Sequence, residues 1–273
     1  MCVRQNVAVR AVLIGIAVVI VVVVGGAVGA DFGTAIYAEY RLARTLRTQA
    51  GLGSDPWVGI LGFPFIPQAM RHRYDEVEFK ASGVQRPLLG EASLEATMYA
   101  IDLTNASWLI RPEAQLPVGK VESRILIDST HLGRWMGIND LMVEAPPKET
   151  NDATGGTTES GISSPVGLVF TGTPRVEGFH ERISVSVDLA MTGPDNTTLA
   201  FTATGILTGP GTADRVVPDD KLDAVLASFT KNLPGQRLPF GIAPNREGAR
   251  GSDVIIEGIA EGLTLRLNGF NRS

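Results

Sequence analysis

The three histidines, His72, His131 and His180, stand far apart in the chain, and none falls in an H-E-x-x-H or H-x-x-x-H spacing. A metal centre needs several ligands converging at short range, so no metal or other cofactor is expected, and the histidines read as surface or capping residues. Nucleophilic chemistry has one candidate: Ser228 and Lys231 match S-x-x-K, in which a lysine one helical turn away activates a serine. The tetrad lies at the end of a predicted helix, neither S-D-N nor K-T-G follows, and no G-x-S-x-G elbow occurs, so the match reads as chance. Asp219 and Asp220 follow Pro218 at the start of that helix, where carboxylates complement the helix dipole and cap its end. No Asp-x-Asp triplet and no phosphate-loop glycine pattern is present. An enzyme is therefore not expected.

Binding chemistry concentrates instead in Trp57 to Arg73 (WVGILGFPFIPQAMRHR), where Phe63, Phe65 and Ile66 lie among Gly62, Pro64 and Pro67 and the run ends on Arg71, His72 and Arg73. Closely spaced prolines resist a central strand because each removes a ladder donor. The segment is predicted to be a bent apolar hairpin or edge that offers acyl contacts beside a phosphate-binding mouth. A core corner with a solvated basic end is the plainer reading of the same residues.

Several elements must hold this segment in place. Ala11 to Ala30 contains twenty residues without a charge, and at 1.5 Å per residue such a run spans a hydrocarbon core of about 30 Å. Arg4 and Arg10 before it and Asp31 after it favour an orientation with the N-terminus inside and the rest outside. Val28 and Ala30 also suit a cleavage site, so the run is either a single-pass anchor or a signal peptide, and residues 31–273 are expected outside the cytoplasm in both cases. Cys2, the single cysteine, has no partner for an intramolecular disulfide. The formal net charge of -5, with Arg4 and Arg10 outside the exported part, makes a nucleic-acid partner unexpected.

Asp31 to Ala50 is predicted as an amphipathic helix with Ile36, Tyr40, Ala43 and Leu46 on one face, terminated by Gly51. Beyond it the period changes to two. Strands are predicted at Trp57 to Leu61, Glu76 to Val84, Glu91 to Leu103 (Ala92, Leu94, Ala96, Met98 and Ala100 inward) and Lys120 to Asp128, followed by a short helix to Met136 capped by Ser129 or Thr130, and a strand at Asp140 to Glu144. Residues 145–165 are polar and rich in Pro, Gly, Ser and Thr, and read as a flexible loop. Strands resume at Gly167 to Thr171, Arg182 to Thr192 and Thr198 to Leu207; a second amphipathic helix, Asp219 to Leu233, presents Leu222, Val225, Leu226 and Phe229 on one face; strands at Asp253 to Gly258 and Gly262 to Asn268 close the chain. The order suits an α+β domain over residues 31–273, with a strongly bent, mostly antiparallel sheet covered by helices.

The N-terminal apolar segment, the helix ending at Gly51, GFPFIPQAM at 62–70, RYDEVEFKASGV at 73–84, LPFGIAP at 238–244 and the closing strands together resemble the LmeA-like family of actinobacterial envelope proteins. The resemblance implies a fold similar to tubular lipid-binding domains, with the sheet wrapped around a long helix. It further implies binding of an anionic phospholipid such as a phosphoinositide, and support of envelope lipid or lipomannan-type lipoglycan assembly.

These expectations combine into a non-enzymatic phospholipid-binding protein of the membrane or cell envelope, with Phe63, Phe65, Ile66, Leu222, Leu226 and Phe229 lining an apolar cavity and Arg71 and Arg73 meeting the headgroup. The alternative is a membrane-tethered interaction module that stabilises envelope glycosyltransferases without carrying lipid.

Overall fold

The computed structural model describes residues 2–145 and 167–271, with side chains of the first helix from residue 13 onward. Helix α1 (Cys2–Ala50) runs 49 residues without a break, so the predicted membrane segment and the amphipathic helix form one rod. A helix this long and apolar near the N-terminus is compatible with either a signal anchor or a signal peptide. Past residue 30 its buried face is Asp31, Ala38, Leu42, Ala43, Leu46 and Ala50, which recur at steps of three, four and seven, with Leu42 and Ala43 adjacent, as one helix side requires. Ile36 and Tyr40, expected on that side, are exposed. The packed stripe is Leu42 and Leu46 among alanines, and Ala38, Ala43 and Ala50 let the helix approach its neighbours closely. Gly51, at φ +63°, ends the rod, and Leu52 N–H donates to Arg47 O at 3.0 Å, a left-handed cap that favours glycine.

The chain then lays down β1 (Trp57–Leu61), helix α2 (Phe65–Met70), β2 (Arg73–Arg86), β3 (Gly90–Asp102) and β4 (Leu116–Ile127). Helix α3 (Ser129–Met136), β5 (Met142–Glu144), β6 (Leu168–Gly172), β7 (Ile183–Thr192) and β8 (Thr198–Leu207) follow. Helix α4 (Asp219–Phe229), β9 (Lys231–Leu233), β10 (Arg246–Arg250) and β11 (Asp253–Leu265) complete the order. The strands divide into two antiparallel sheets, β1-β2-β3-β4-β11-β10 and β5-β6-β7-β8-β9. The α+β, antiparallel class expected from the pattern is the class observed. Helix α1 packs on the edge strand β1, on α2 and on the closing turn Leu267–Gly269. One apolar core runs through α1 and both sheets.

Several local expectations are corrected. The period of two in β3 breaks at Ala100, which has φ +53° and is half-buried, so Ile101 and Leu103 take the inward positions. Asp128, not Ser129 or Thr130, caps α3, its carboxylate accepting from Thr130 N–H at 2.8 Å. Helix α4 stops at Phe229, because Thr230 is extended and Lys231–Leu233 pair with β8. Asp219 and Asp220 occupy its first turn, yet no side chain caps it by hydrogen bonding. The two closing strands are one, interrupted by Gly262 at φ +64°. The predicted loop at 145–165 lies outside the described residues except for Ala145.

Within the first sheet, β4 and β11 bury charge. Arg124 Nε donates to Glu257 Oε2 at 2.6 Å and its guanidinium also bonds Glu122. Glu257 is wholly inaccessible, and Arg246 approaches it at 3.6 Å. Removing one partner of such a cluster strands a charge in a low-dielectric interior.

Candidate functional site

The segment Trp57 to Arg73 opens as the edge strand β1, but its proline-rich part is a short helix rather than the second arm of a hairpin. Gly62 turns the chain at φ +98°, where a Cβ would meet Gln68 Nε2 at 2.7 Å. The Phe63–Pro64 peptide is cis, and α2 begins at Phe65. Pro67 is the third helical residue, a position whose N–H has no partner within the helix anyway, so the missing donor costs little.

Two polar side chains hold this apolar helix. No side chain of its own caps α2; instead Asp31, buried on α1, accepts from Phe65 N–H at 2.8 Å through Oδ2 and from Ile66 N–H at 2.7 Å through Oδ1. Charge-assisted bonds to otherwise orphaned N–H groups are the strong kind. Gln68, almost inaccessible, donates to Gly62 O at 2.7 Å and accepts from Asp75 N–H at 3.0 Å, joining the turn to β2.

Between α1, α2 and the loop after β3 lies an apolar cleft of about 440 Å³, lined by Thr34, Ile66, Ala69, Met70, His72 and Trp108. Beneath it Phe65 stacks on Tyr74 at 5.6 Å and meets Trp108 edge-on at 6.3 Å. Tyr74 is itself buried and donates its hydroxyl to Trp108 O at 2.5 Å; burial pushes the phenol well above its ordinary range. The loop carrying Trp108 is thereby fixed to β2.

Arg71 and Arg73 are exposed on either side of His72, a residue of the cleft wall. Arg73 lies opposite Asp102 in the β2–β3 register. Hydrogen bonds from Thr104, with a smaller contribution from Arg73, hold the Asp102 carboxyl below its ordinary value. The far side of the same loop borders a polar cleft of about 820 Å³, with Asp102, Asn105, Arg111, Glu113 and Thr264 among its walls.

The eight residues predicted from sequence do not line one cavity. Ile66 lines the cleft and Phe65 packs on Trp108 of its wall, while Arg71 and Arg73 are exposed chain neighbours of the lining residues Met70 and His72. Phe63 points away from the core, 64% exposed, and stacks on Phe32 of α1 at 5.7 Å. Leu222, Leu226 and Phe229 sit on α4 against β7 and β8, with Phe229 fully buried in the same core as Phe201 and Phe170. Sequence reasoning missed Thr34, Ala69, Met70 and Trp108, which show no period, and Asp31, whose signal was legible: it is the first acid after the apolar run.

The other chemical candidates are committed elsewhere. Ser228 Oγ donates to Val225 O at 2.6 Å, while Lys231 Nζ donates to Met136 O at 2.8 Å and lies over the Trp135 ring. Among the described residues no group of three or more His, Cys, Asp and Glu side chains is placed to hold a metal ion.

Comparison with known proteins places this geometry in a family. The chain matches the model of the LmeA-like phospholipid-binding family over residues 29–259, and it belongs to that family. The match takes in Asp31, α2 and every residue lining the apolar cleft. No curated protein and no solved structure matches the chain.

Proposed function

We propose that this protein holds one phospholipid outside the cytoplasm, with acyl carbons in the α1–α2 cleft and an anionic headgroup, a phosphoinositide being the leading candidate, at Arg71 and Arg73. It acts without catalysis, supplying or presenting lipid for envelope lipid and lipoglycan assembly. The observation that carries the reading is the cleft itself: an apolar hollow whose wall residues Met70 and His72 alternate in the chain with the exposed Arg71 and Arg73, in a chain of a phospholipid-binding family. Its volume falls within the roughly 300–1,000 Å³ of ordinary ligand pockets, and each acyl CH₂ taken from water contributes about 0.8 kcal/mol before ordering costs.

Native mass spectrometry of the full chain in detergent, followed by lipid extraction, tests this. Phospholipid at near-unit stoichiometry is expected, with anionic species preferred over zwitterionic ones. Ala69→Trp, which fills the cleft, should abolish the lipid-bound mass. Arg71→Glu with Arg73→Glu should keep a bound lipid and reverse the preference. A lipid-free mass after incubation with phosphatidylinositol vesicles defeats the proposal.

A further inference from the structure

Beside the contact between α1 and α2 the surface carries large exposed apolar side chains, of which Met70 also lines the cleft. Phe32, Phe63 and Met70 are 56%, 64% and 76% exposed, and the two phenylalanine rings stack on each other in the open. Their position along α1 is decided by Asp31. Counting along the helix, the charge-free run ends at Ala30, Asp31 clasps the start of α2, and Phe32 and Thr34 follow within the next turn. If Ala11 to Ala30 fills the hydrocarbon core, the clasp sits at the boundary and brings α2 down to the headgroup layer. Buried against backbone N–H groups, the Asp31 charge is kept from lipid at that level.

We propose that Phe32, Phe63 and Met70 form a collar that docks the folded domain onto the bilayer crossed by its own α1, with the mouth of the cleft opening into the leaflet. Aromatic rings at the level where a helix leaves the hydrocarbon core are an interfacial anchor. Arg71 and Arg73, next in the chain after Met70, reach phosphates while their stems stay among apolar groups. Thr34 and Met70 belong to both collar level and cleft wall, so an acyl chain passes from leaflet to cleft without crossing water. The docking stands on the collar alone; the lipid route rests on the phospholipid-binding reading above.

The test uses the full chain with Cys2→Ser, reconstituted in phosphatidylcholine–phosphatidylglycerol vesicles, and one environment-sensitive fluorophore on Met70→Cys or on Val216→Cys. Val216 is 85% exposed before α4 and serves as the aqueous reference. The probe at 70 should be quenched by doxyl groups high on the acyl chains and several-fold less by aqueous iodide than the probe at 216. Adding Phe32→Ser and Phe63→Ser, both exposed positions, should restore iodide quenching at 70 with the thermal transition unchanged. Equal iodide quenching at 70 and 216, or shielding that survives loss of both rings, overturns the collar. Native mass spectrometry of the unlabelled chain, with Met70 intact, separates the two readings. A shielded probe without bound lipid leaves the docking and removes the lipid route, whereas bound lipid with a water-exposed probe removes the docking and leaves the lipid-binding function.

Discussion

Helices α2 and α4 carry similar apolar content, yet one borders a hollow and the other closes one. On α4, Phe229 and Val225 are fully buried, and Leu222 and Leu226 are half-buried against β7 and β8. Phe201 packs on Phe170 at 5.8 Å and on Trp135 at 6.2 Å in the same layer. On α2 Phe65 is the one apolar side chain that is fully buried; Ile66 and Ala69 are half-buried and Met70 exposed, all three lining the cleft, and Phe63 just before the helix is exposed. The difference lies in what secures each helix. Side-chain packing secures α4, while α2 is secured largely through two polar groups, Asp31 and Gln68, which act on backbone rather than on side chains. A helix held by its backbone can leave its apolar side chains unfilled.

The sharpest break of this contrast is a pair of opposite substitutions. Phe229→Ala removes a fully buried ring and should cost about 3–5 kcal/mol of stability, with lipid bound per folded chain unchanged. Ala69→Trp should cost about 1–3 kcal/mol at most, because it enters open space at the cleft, yet remove bound lipid. Thermal unfolding paired with native mass spectrometry reads both. Equal lipid loss in the two variants would show that α4 also lines the cavity.

A smaller effect is expected at the clasp. Asp31→Ala leaves the Phe65 and Ile66 N–H groups without their acceptor, and losing a capping carboxylate costs about 0.5–2 kcal/mol. Asp31→Asn, which keeps one acceptor oxygen, should recover part of it. Hydrogen exchange localises the change: amides at 65 and 66 should exchange faster while β7 and β8 stay protected. Uniform loss of protection across both sheets would mean that Asp31 supports the whole core rather than α2.

The contrast was half legible in the sequence. Alternation in β2, β4, β7 and β8 was readable because a period of two is a property of one strand. The bend in β3 at Ala100 was not, since nothing in the residue type announces a positive φ. Membership of a lipid-binding family was legible in residues such as GFPFIPQAM, but which apolar residues face a cavity was not. Leu226 and Ile66 look alike in sequence and differ only in whether a neighbouring element fills the space beside them. Likewise Ile36 and Tyr40 fit the helical period with Ala43 and Leu46, yet Ala38 and Leu42 take the packed face in their place.

Proton linkage provides the finest separation of the two regions. Glu76, opposite Leu61 at the β1 end that leads into α2, has its carboxyl raised above the ordinary 4.5 by burial and then by repulsion from Glu78 and Glu122. Asp128, capping α3 beside Asp253 at the start of β11 and away from α2, is pushed up by burial but held below 3.8 overall by its bonds to Thr130 and His131. The signs are opposite. A raised carboxyl gives a contribution that is full below its unfolded value and lost as pH rises through the folded one; a depressed carboxyl gives one that is present above its unfolded value and lost as pH falls through the folded one. Glu76→Gln should therefore melt slightly above the parent chain at pH 7, with the difference closing below about pH 4.5. Asp128→Asn should lose stability at pH 7 and converge with the parent only at more acid pH. Asp128 is exposed and Glu76 only half-buried, so the shifts should be small and weaken in salt. If Glu76→Gln melts lower than the parent at pH 7, the ionised carboxylate is a stabilising partner at the β1 edge, and the polar support of the α2 region extends beyond Asp31 and Gln68.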